Sequence, residues 1–580
     1  MANKYWVGGT GTWDGTTTTN WSTSSGGSGG AAVPTTADVA IFDTLSNATS
    51  YTVTRTATTA VLGINMSNPL TGNLTFAGSS AIQTTTSGLT IASGVIWTNT
   101  GAYTFGETQT VTTNGVILTN NITLNSASTG ATISLGSAFT TSGTFTLSTS
   151  AASLTFNNYN FTCFSFAKSS PGASNIAFGT GILTLTGSGI VFNISAGTAT
   201  FTGTPTVYIT NNTATATSIT TGNSVRYNFY LFNGGYTFSF GGAGPTVGSL
   251  NFSSFTGTLS SVTTVTIYGS LTMSSGMTYT IPSGAFTFAA TTTGNTITCA
   301  TKTLPNCTFS GAGGGWILQD NFASGALTLS NTGTIDFNAK TVTCTTAAVS
   351  GGTFGVNSGS LVCSSTLTQT GGTITATTGN VQFTTFTSTT GTRAINMGSG
   401  TWTVTGLTWS TASTSLTIDA GTSTIVLSNN TTTAKTFAGG GVTYGTLQIG
   451  ATGGSTAIAT YTITGANTFN SITSTKSVAS TITLPASTTT TVGNWTVAGS
   501  SGNLITLNSS TAGTQATLTL TGGGIVSVNY LNIRDSAATP STLTWYAGAN
   551  SVNTSNNTGW IFAAPARAAN FNFFMFFNGS

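Results

Sequence analysis

A hydroxyl residue alternates with an apolar one in short runs along almost the whole chain, as in Asn73-Leu74-Thr75-Phe76, Thr144-Phe145-Thr146-Leu147 and Ser153-Leu154-Thr155-Phe156. A period of two is the strand pattern, one side chain toward a core and the next toward water. Gly, Asn or Ser bounds each run and supplies the turns. The runs Leu183-Thr184-Leu185, Val191-Phe192-Asn193-Ile194, Ala199-Thr200-Phe201 and Val207-Tyr208-Ile209 have centres about eight residues apart. Helix formers do not cluster at helical spacing, and β-branched Thr and Val dominate instead. The pattern predicts an all-β chain.

Strands this short and evenly spaced can be joined as antiparallel hairpins or wound as parallel coils. Hairpins favour Asn-Gly and Asp-Gly between strands, and few such pairs occur, among them Asp14-Gly15, Asn114-Gly115 and Asn233-Gly234. Parallel coils set like residue over like and build ladders of Thr, Asn and Phe, the residues this chain is rich in. The expected fold is therefore a long parallel β-helix with about three strands and roughly 20 to 25 residues per coil. At roughly 4.8 Å per coil, some 20 to 25 coils would form a rod on the order of 100 Å long.

Composition narrows the function. Only 3% of the 580 residues are charged and none is His, yet 38% are hydrophobic and 34 are Phe. That apolar content is too high for a disordered chain, and its near-uniformity argues for one repetitive domain rather than several globular ones. The 11 basic residues are scattered singly and form no stripe, so no nucleic-acid partner is expected. Cys163, Cys299, Cys307, Cys344 and Cys363 are odd in number and lack CxxC spacing. They read as buried small hydrophobes rather than disulfides or zinc ligands. No apolar run is long enough for a spanning helix, and Met1 to Gly9 lacks the core of a secretory signal. The end of the chain has no membrane-barrel pattern either. The expected product is made in a cytoplasm.

Catalysis would have to draw on Asp14, Asp38, Asp43, Glu107, Asp320, Asp336, Asp419 and Asp535. Without His, triads that use it are excluded. Asp320 and Asp336 are the best-spaced pair for glycoside cleavage, but isolated Asp residues usually serve turns. Asp14, Asp38 and Asp43 lack the dense spacing of a calcium loop and read as turn caps or as partners of Lys4 or Arg55. Arg534 and Asp535 read as a local pair. No catalytic residue, metal site or cofactor is expected.

Among the aromatics Tyr227, Phe229, Tyr230, Phe232, Tyr236, Phe238 and Phe240, buried stacking is the default in a β-helix. Tyr227 and Phe229 break the even parity of the others, so Tyr227, Phe229 and Tyr230 are the candidate surface contacts, for a glycan or another partner. Phe571, Phe573, Phe574, Met575, Phe576 and Phe577 form an apolar tail expected to fold over the last coil or to dock into another subunit.

The two ends carry a resemblance. Trp6-Val7-Gly8-Gly9-Thr10-Gly11-Thr12-Trp13-Asp14, then Asn20-Trp21-Ser22, Val33-Pro34-Thr35, Ala37-Asp38 and Phe42-Asp43, open the chain. Ser527-Val528-Asn529-Tyr530-Leu531-Asn532-Ile533-Arg534-Asp535-Ser536 and Asn556-Asn557-Thr558-Gly559-Trp560 close it. These segments resemble the flanks of Thr/Gly-rich β-helical structural proteins of tailed bacteriophages, and similar closing segments occur in large bacterial surface proteins. The resemblance implies a non-enzymatic virion protein, a tail fibre, spike or head-decorating appendage that mediates host attachment. Its expected partners are sister subunits in a trimer, other virion proteins and cell-surface glycans. A bacterial surface adhesin or matrix protein, located on the cell surface, and a polysaccharide-cleaving tailspike are the alternatives. Residues 1–45 read as an N-terminal cap or attachment segment, 46–485 as the shaft, 486–562 as C-terminal coils and 563–580 as the tail.

Overall fold

The computed structural model describes residues 2–565 apart from 69–72, 127–129, 198, 212, 222–225, 233, 243, 261–262, 281–283, 429–431, 452–456 and 543. It is all-β and about 1% helical, a parallel β-solenoid of about 22 turns. A single 3-10 turn at Thr18–Asn20 is the helical part among the described residues. Two compact units are distinguished, Met1–Cys307 and Thr308–Ser580. Both are wound in the same way.

In the first unit Phe161, Leu183, Val207, Phe229, Leu250, Leu271 and Ile297 form one inward column, each paired in parallel with the next. The step along this column is 21 to 26 residues. Parallel register puts equivalent positions of successive coils directly over one another, so an apolar position must recur once per coil or leave a hole. Phe145, Phe166 and Phe192 show the result, with ring centroids 5.7 and 5.9 Å apart and planes within 10° and 18° of parallel. In the second unit Leu361, Val381, Trp402, Ile425, Leu447 and Ile472 make an inward column in which every member is fully buried. Burying each such side chain contributes roughly 1.5–3 kcal/mol.

Outward positions follow the same rule with different chemistry. Thr366, Thr385, Thr408, Thr436, Thr462 and Thr483 lie over one another on successive strands. A β-branched residue suits the pleat, and its hydroxyl keeps a charge-poor surface wet.

Corners are made by residues that tolerate positive φ. Asn114 and Gly115 adopt φ values of 47° and 87°, and Val116 N–H donates to Thr113 O at 2.9 Å. The flanking strands Gln109–Thr112 and Ile117–Leu118 belong to different sheets and pair in parallel with other coils. This Asn-Gly therefore turns a coil corner and does not close a hairpin. Asn114 Nδ2 also donates to Ile91 O at 2.8 Å, tying its corner to the preceding coil. Asn157 and Asn338 repeat both features, donating to Leu135 O and Leu318 O.

Near the start, the strand Ala2–Trp6 pairs in parallel with Asp38–Asp43 and antiparallel with Trp21–Ser22. Trp6, Trp13 and Trp21 are fully buried around Phe42, the Trp6–Trp21 and Trp13–Trp21 rings meeting edge to face at 5.2 and 5.0 Å. Toward the other end Trp545 and Trp560 are 5.1 Å apart. The apolar tail that includes Phe571, Phe573, Phe574, Met575, Phe576 and Phe577 lies outside the described residues. Among the described residues no helix is long and apolar enough to cross a membrane.

The columns make a position-specific expectation. Trp402→Ala opens a cavity in a core column and should lower the local opening free energy of neighbouring strands by about 3–5 kcal/mol. Thr403→Ala, on the outer side of the same strand, should cost about 1 kcal/mol or less. Native-state hydrogen exchange of the strand Thr401–Thr411 and its neighbours measures both.

Candidate functional site

The aromatic segment divides by parity. Strand Asn228–Phe232 sends Phe229 and Leu231 inward, fully buried, and Tyr227 continues the same side into the core. Tyr227 packs edge to face on Phe192 and Phe201 at 4.7 and 4.4 Å, and burial pushes its hydroxyl well above the ordinary tyrosine value. Tyr227 and Phe229 are thus core residues, which corrects the expectation that they touch a partner. Tyr230, on the opposite parity, is half-buried on the outer side. Tyr236, Phe238 and Phe240 are buried although even-numbered, because the chain passes to another sheet between Asn228–Phe232 and Thr237–Gly241, which resets which parity faces in.

Two residues absent from the predicted contact set join Tyr230 outside. Tyr208 sits directly over it in register, between the inward Val207 and Ile209. The ring centroids of Tyr208 and Tyr230 are 5.3 Å apart, and those of Tyr208 and Phe232 4.8 Å. The signal for Tyr208 was present in the run Val207-Tyr208-Ile209, whose apolar ends fix its middle residue outward. Beyond the adjoining corner, the exposed Arg226 stacks its guanidinium over the Tyr268 ring at 3.6 Å, a cation–π contact.

The carboxylates serve the backbone. Asp14 accepts from Thr16 N–H at 2.9 Å, Thr17 N–H at 2.8 Å and Thr17 Oγ1 at 2.6 Å, and the Thr17 bonds above all hold its carboxyl well below the usual range. Asp38 accepts from Thr35 N–H and Oγ1, and Asp43 from Leu45 N–H and Ser25 Oγ. Asp336 accepts from Asn338 N–H at 2.9 Å and Asn357 Nδ2 at 2.8 Å. Its strand neighbour in register is Ile317, while Asp320 follows the end of the strand Gly315–Leu318. Glu107 accepts from Ser126 Oγ and the exposed Asp419 from Gly421 N–H. Asp535, at a positive-φ corner, accepts from Asn556 Nδ2 and Gly513 N–H and pairs with Arg534 Nε at 3.4 Å. Those bonds, led by Asn556, hold it below its ordinary value.

Buried cations were not legible in the sequence. Arg55, Lys168, Arg393, Lys435 and Lys476 are all buried. Arg55 does not pair with a cap carboxylate: Nη2 donates to Ala57 O at 2.6 Å and Ala81 O at 3.0 Å, and the guanidinium lies over the Trp13 ring at 4.5 Å. Arg393 donates to Gly391 O, Ala412 O, Thr414 O and Ser388 Oγ, the last bound in turn to the buried Gln369. Lys168 Nζ donates to Ser170 O and Gly172 O, and Lys476 Nζ to Ala457 O. Lys435 Nζ donates to Thr405 O and Gly406 O, about one coil back. A carbonyl that a corner takes out of the sheet ladder needs a donor, and a long cationic side chain can reach it from inside.

The five cysteines are buried, Cys344 lying directly under Cys363 in register. Among the described residues no three His, Cys, Asp or Glu side chains gather as metal ligands. No family model, no curated protein and no solved structure matches the chain.

Burial lowers Lys435 to about 8, against about 10.4 in an unfolded chain. The folded state therefore holds fewer protons between those values, and this group makes stability rise with pH from about 8 to about 10. A neutral amine still has two N–H donors for its two carbonyls. Burial holds the Cys163 and Cys307 thiols above their ordinary values and works in the opposite direction above about pH 8.5, so the comparison is between wild type and Lys435→Met: the substitution orphans both carbonyls and should cost about 1–3 kcal/mol at pH 7.5 and no less at pH 9.5. Thermal denaturation followed by circular dichroism checks both. A cost of Lys435→Met that shrinks by pH 9.5 would show that the carbonyls require the charge itself.

Proposed function

We propose that the chain is a non-enzymatic structural protein of a tailed-phage virion, a trimeric fibre, spike or head-decorating appendage for host attachment. The observation that carries this reading is the use made of the carboxylates. Asp14, Asp38, Asp43, Asp336 and Asp535 accept hydrogen bonds from turn backbone and neighbouring side chains, a role that holds a scaffold together. Outside lies a repeating neutral array of Thr, Ser and Asn, whose many weak hydrogen-bonding groups suit multivalent contact with a cell surface. The solenoid and the terminal resemblance support the reading.

Fractionation and assay test it. Particles purified from a producing culture should contain the chain with capsid and tail proteins, and cross-linking should give a trimer. Incubation with host envelope polysaccharide should release no reducing sugar. Co-fractionation with bacterial envelopes in place of particles would favour the adhesin alternative, and released reducing ends would favour the cleaving tailspike.

A further inference from the structure

We propose that the outer face running from strand Phe161–Cys163 to strand Asn228–Phe232 binds a neutral linear glycan that lies along the direction of coil stacking. The inference rests on the attachment reading above and deepens it by naming the site and the ligand class. Thr162, Thr184, Tyr208, Tyr230 and Asn251 occupy one outward column in unbroken register. Just past the ends of the first three of these strands stand Phe164, Thr186 and Thr210, and at the end of the fourth Phe232; Phe164 is 39% exposed. The face thus carries rings at one coil, hydroxyls at the next, and rings again.

Core packing does not account for these rings. Val207, Ile209, Phe229 and Leu231 fill the inward positions of the same strands and are essentially inaccessible. Threonine serves the outward column at Thr140, Thr162, Thr184, Thr272 and Thr298, so the pleat does not demand an aromatic. Tyr208 braces Tyr230 and Phe232 with interplanar angles of 59° in both pairs. Their orientation is set before any ligand arrives.

The neighbourhood selects the occupant. Asn228 and Asn251 spend their side-chain oxygens on Ser249 N–H and Ser253 N–H, which leaves their amide N–H groups as donors beside the rings. Arg226, stacked on Tyr268, is the basic residue at the edge of the patch, and one cation is far too few for a phosphate backbone. Aromatic faces are electron-rich and attract the polarised C–H face of a pyranose, while amides and hydroxyls meet its O–H groups. Coils advance by roughly 4.8 Å, close to the advance of one sugar in an extended chain, so successive sugars would meet successive coils in the same way.

The test is affinity electrophoresis of the full chain through gels containing dextran, amylose, mannan or hydroxyethylcellulose, with polygalacturonate as the anionic comparison. The variant carries Tyr208→Thr, Tyr230→Thr and Phe232→Thr, each introducing the residue that the column already uses elsewhere. The control is Thr140→Ala with Thr298→Ala, in the same column but outside the proposed face, and circular dichroism confirms folding of both. At least one neutral polymer should retard wild type and the control, and the triple variant should bind it at least about tenfold more weakly. Retardation by no neutral polymer, retardation by polygalacturonate alone, or a triple variant that binds within about twofold of wild type would overturn the proposal. Binding to intact host cells, measured in parallel, separates this from the attachment reading. Wild type that adheres to cells but ignores every neutral polymer defeats the glycan site and leaves attachment standing. Wild type that binds a polymer through the three rings but adheres to no cell does the reverse.

Discussion

Coil-on-coil hydrogen bonding in parallel register is the constraint on which everything else depends. Each strand offers its N–H and C=O groups to the coils on either side, and those groups must be paired wherever water is excluded. Once the ladders form, the residue at any position is obliged to lie over its equivalent a coil away. An inward column must therefore stay apolar or leave a hole, as from Leu361 to Ile472, whereas an outward column such as Thr366 to Thr483 is bound only to suit the pleat and the water. The Thr-rich, Phe-rich composition is the consequence of satisfying that rule over many turns.

Corners are where the rule lapses, and the chain repairs them with few residue types. Asn at positive φ accommodates the bend and returns its amide to the coil behind, as at Asn114, Asn157 and Asn338. Where no amide serves, a cation reaches the stranded carbonyls from within, as Arg393 does for Ala412 and Thr414 and Lys435 for Thr405 and Gly406. Carboxylates do the complementary work on N–H groups. The few charges are thus concentrated on backbone that the ladders cannot satisfy, which leaves an outer surface governed by hydroxyls, amides and a small group of rings.

The fold was legible because period two and a coil-length spacing both survive in the sequence: the run from Leu183 to Ile209 already shows strand, turn and direction. Column membership was less legible, because it depends on where a corner resets parity. The change of sheet between Asn228–Phe232 and Thr237–Gly241 sends Tyr236 inward although Tyr230, equally even-numbered, faces out. For the same reason parity alone points Tyr227 and Phe229 outward, whereas Val207 and Ile209 fix the direction of Tyr208 between them. The buried cations had no sequence signal, since what holds them is backbone carbonyl, and a carbonyl carries no residue identity. Asn114-Gly115 has the local conformation of a hairpin turn, and only the pairing of its flanking strands makes it a corner.

Removing one whole coil tests the central claim most directly. Deleting residues 341–359 joins Lys340 to Ser360 and sets Leu361 over Phe322, Leu367 over Leu327 and Ile374 over Ile335, apolar over apolar at each place. Deleting residues 341–350 removes only part of the coil and leaves the remainder without a register. Followed by far-ultraviolet circular dichroism through a thermal melt, the whole-coil deletion should keep the strand spectrum and a cooperative transition close to that of wild type, and the part-coil deletion should lose the transition. A whole-coil deletion that fails to fold, alongside a part-coil deletion that melts like wild type, would contradict stacking in register as the basis of the structure.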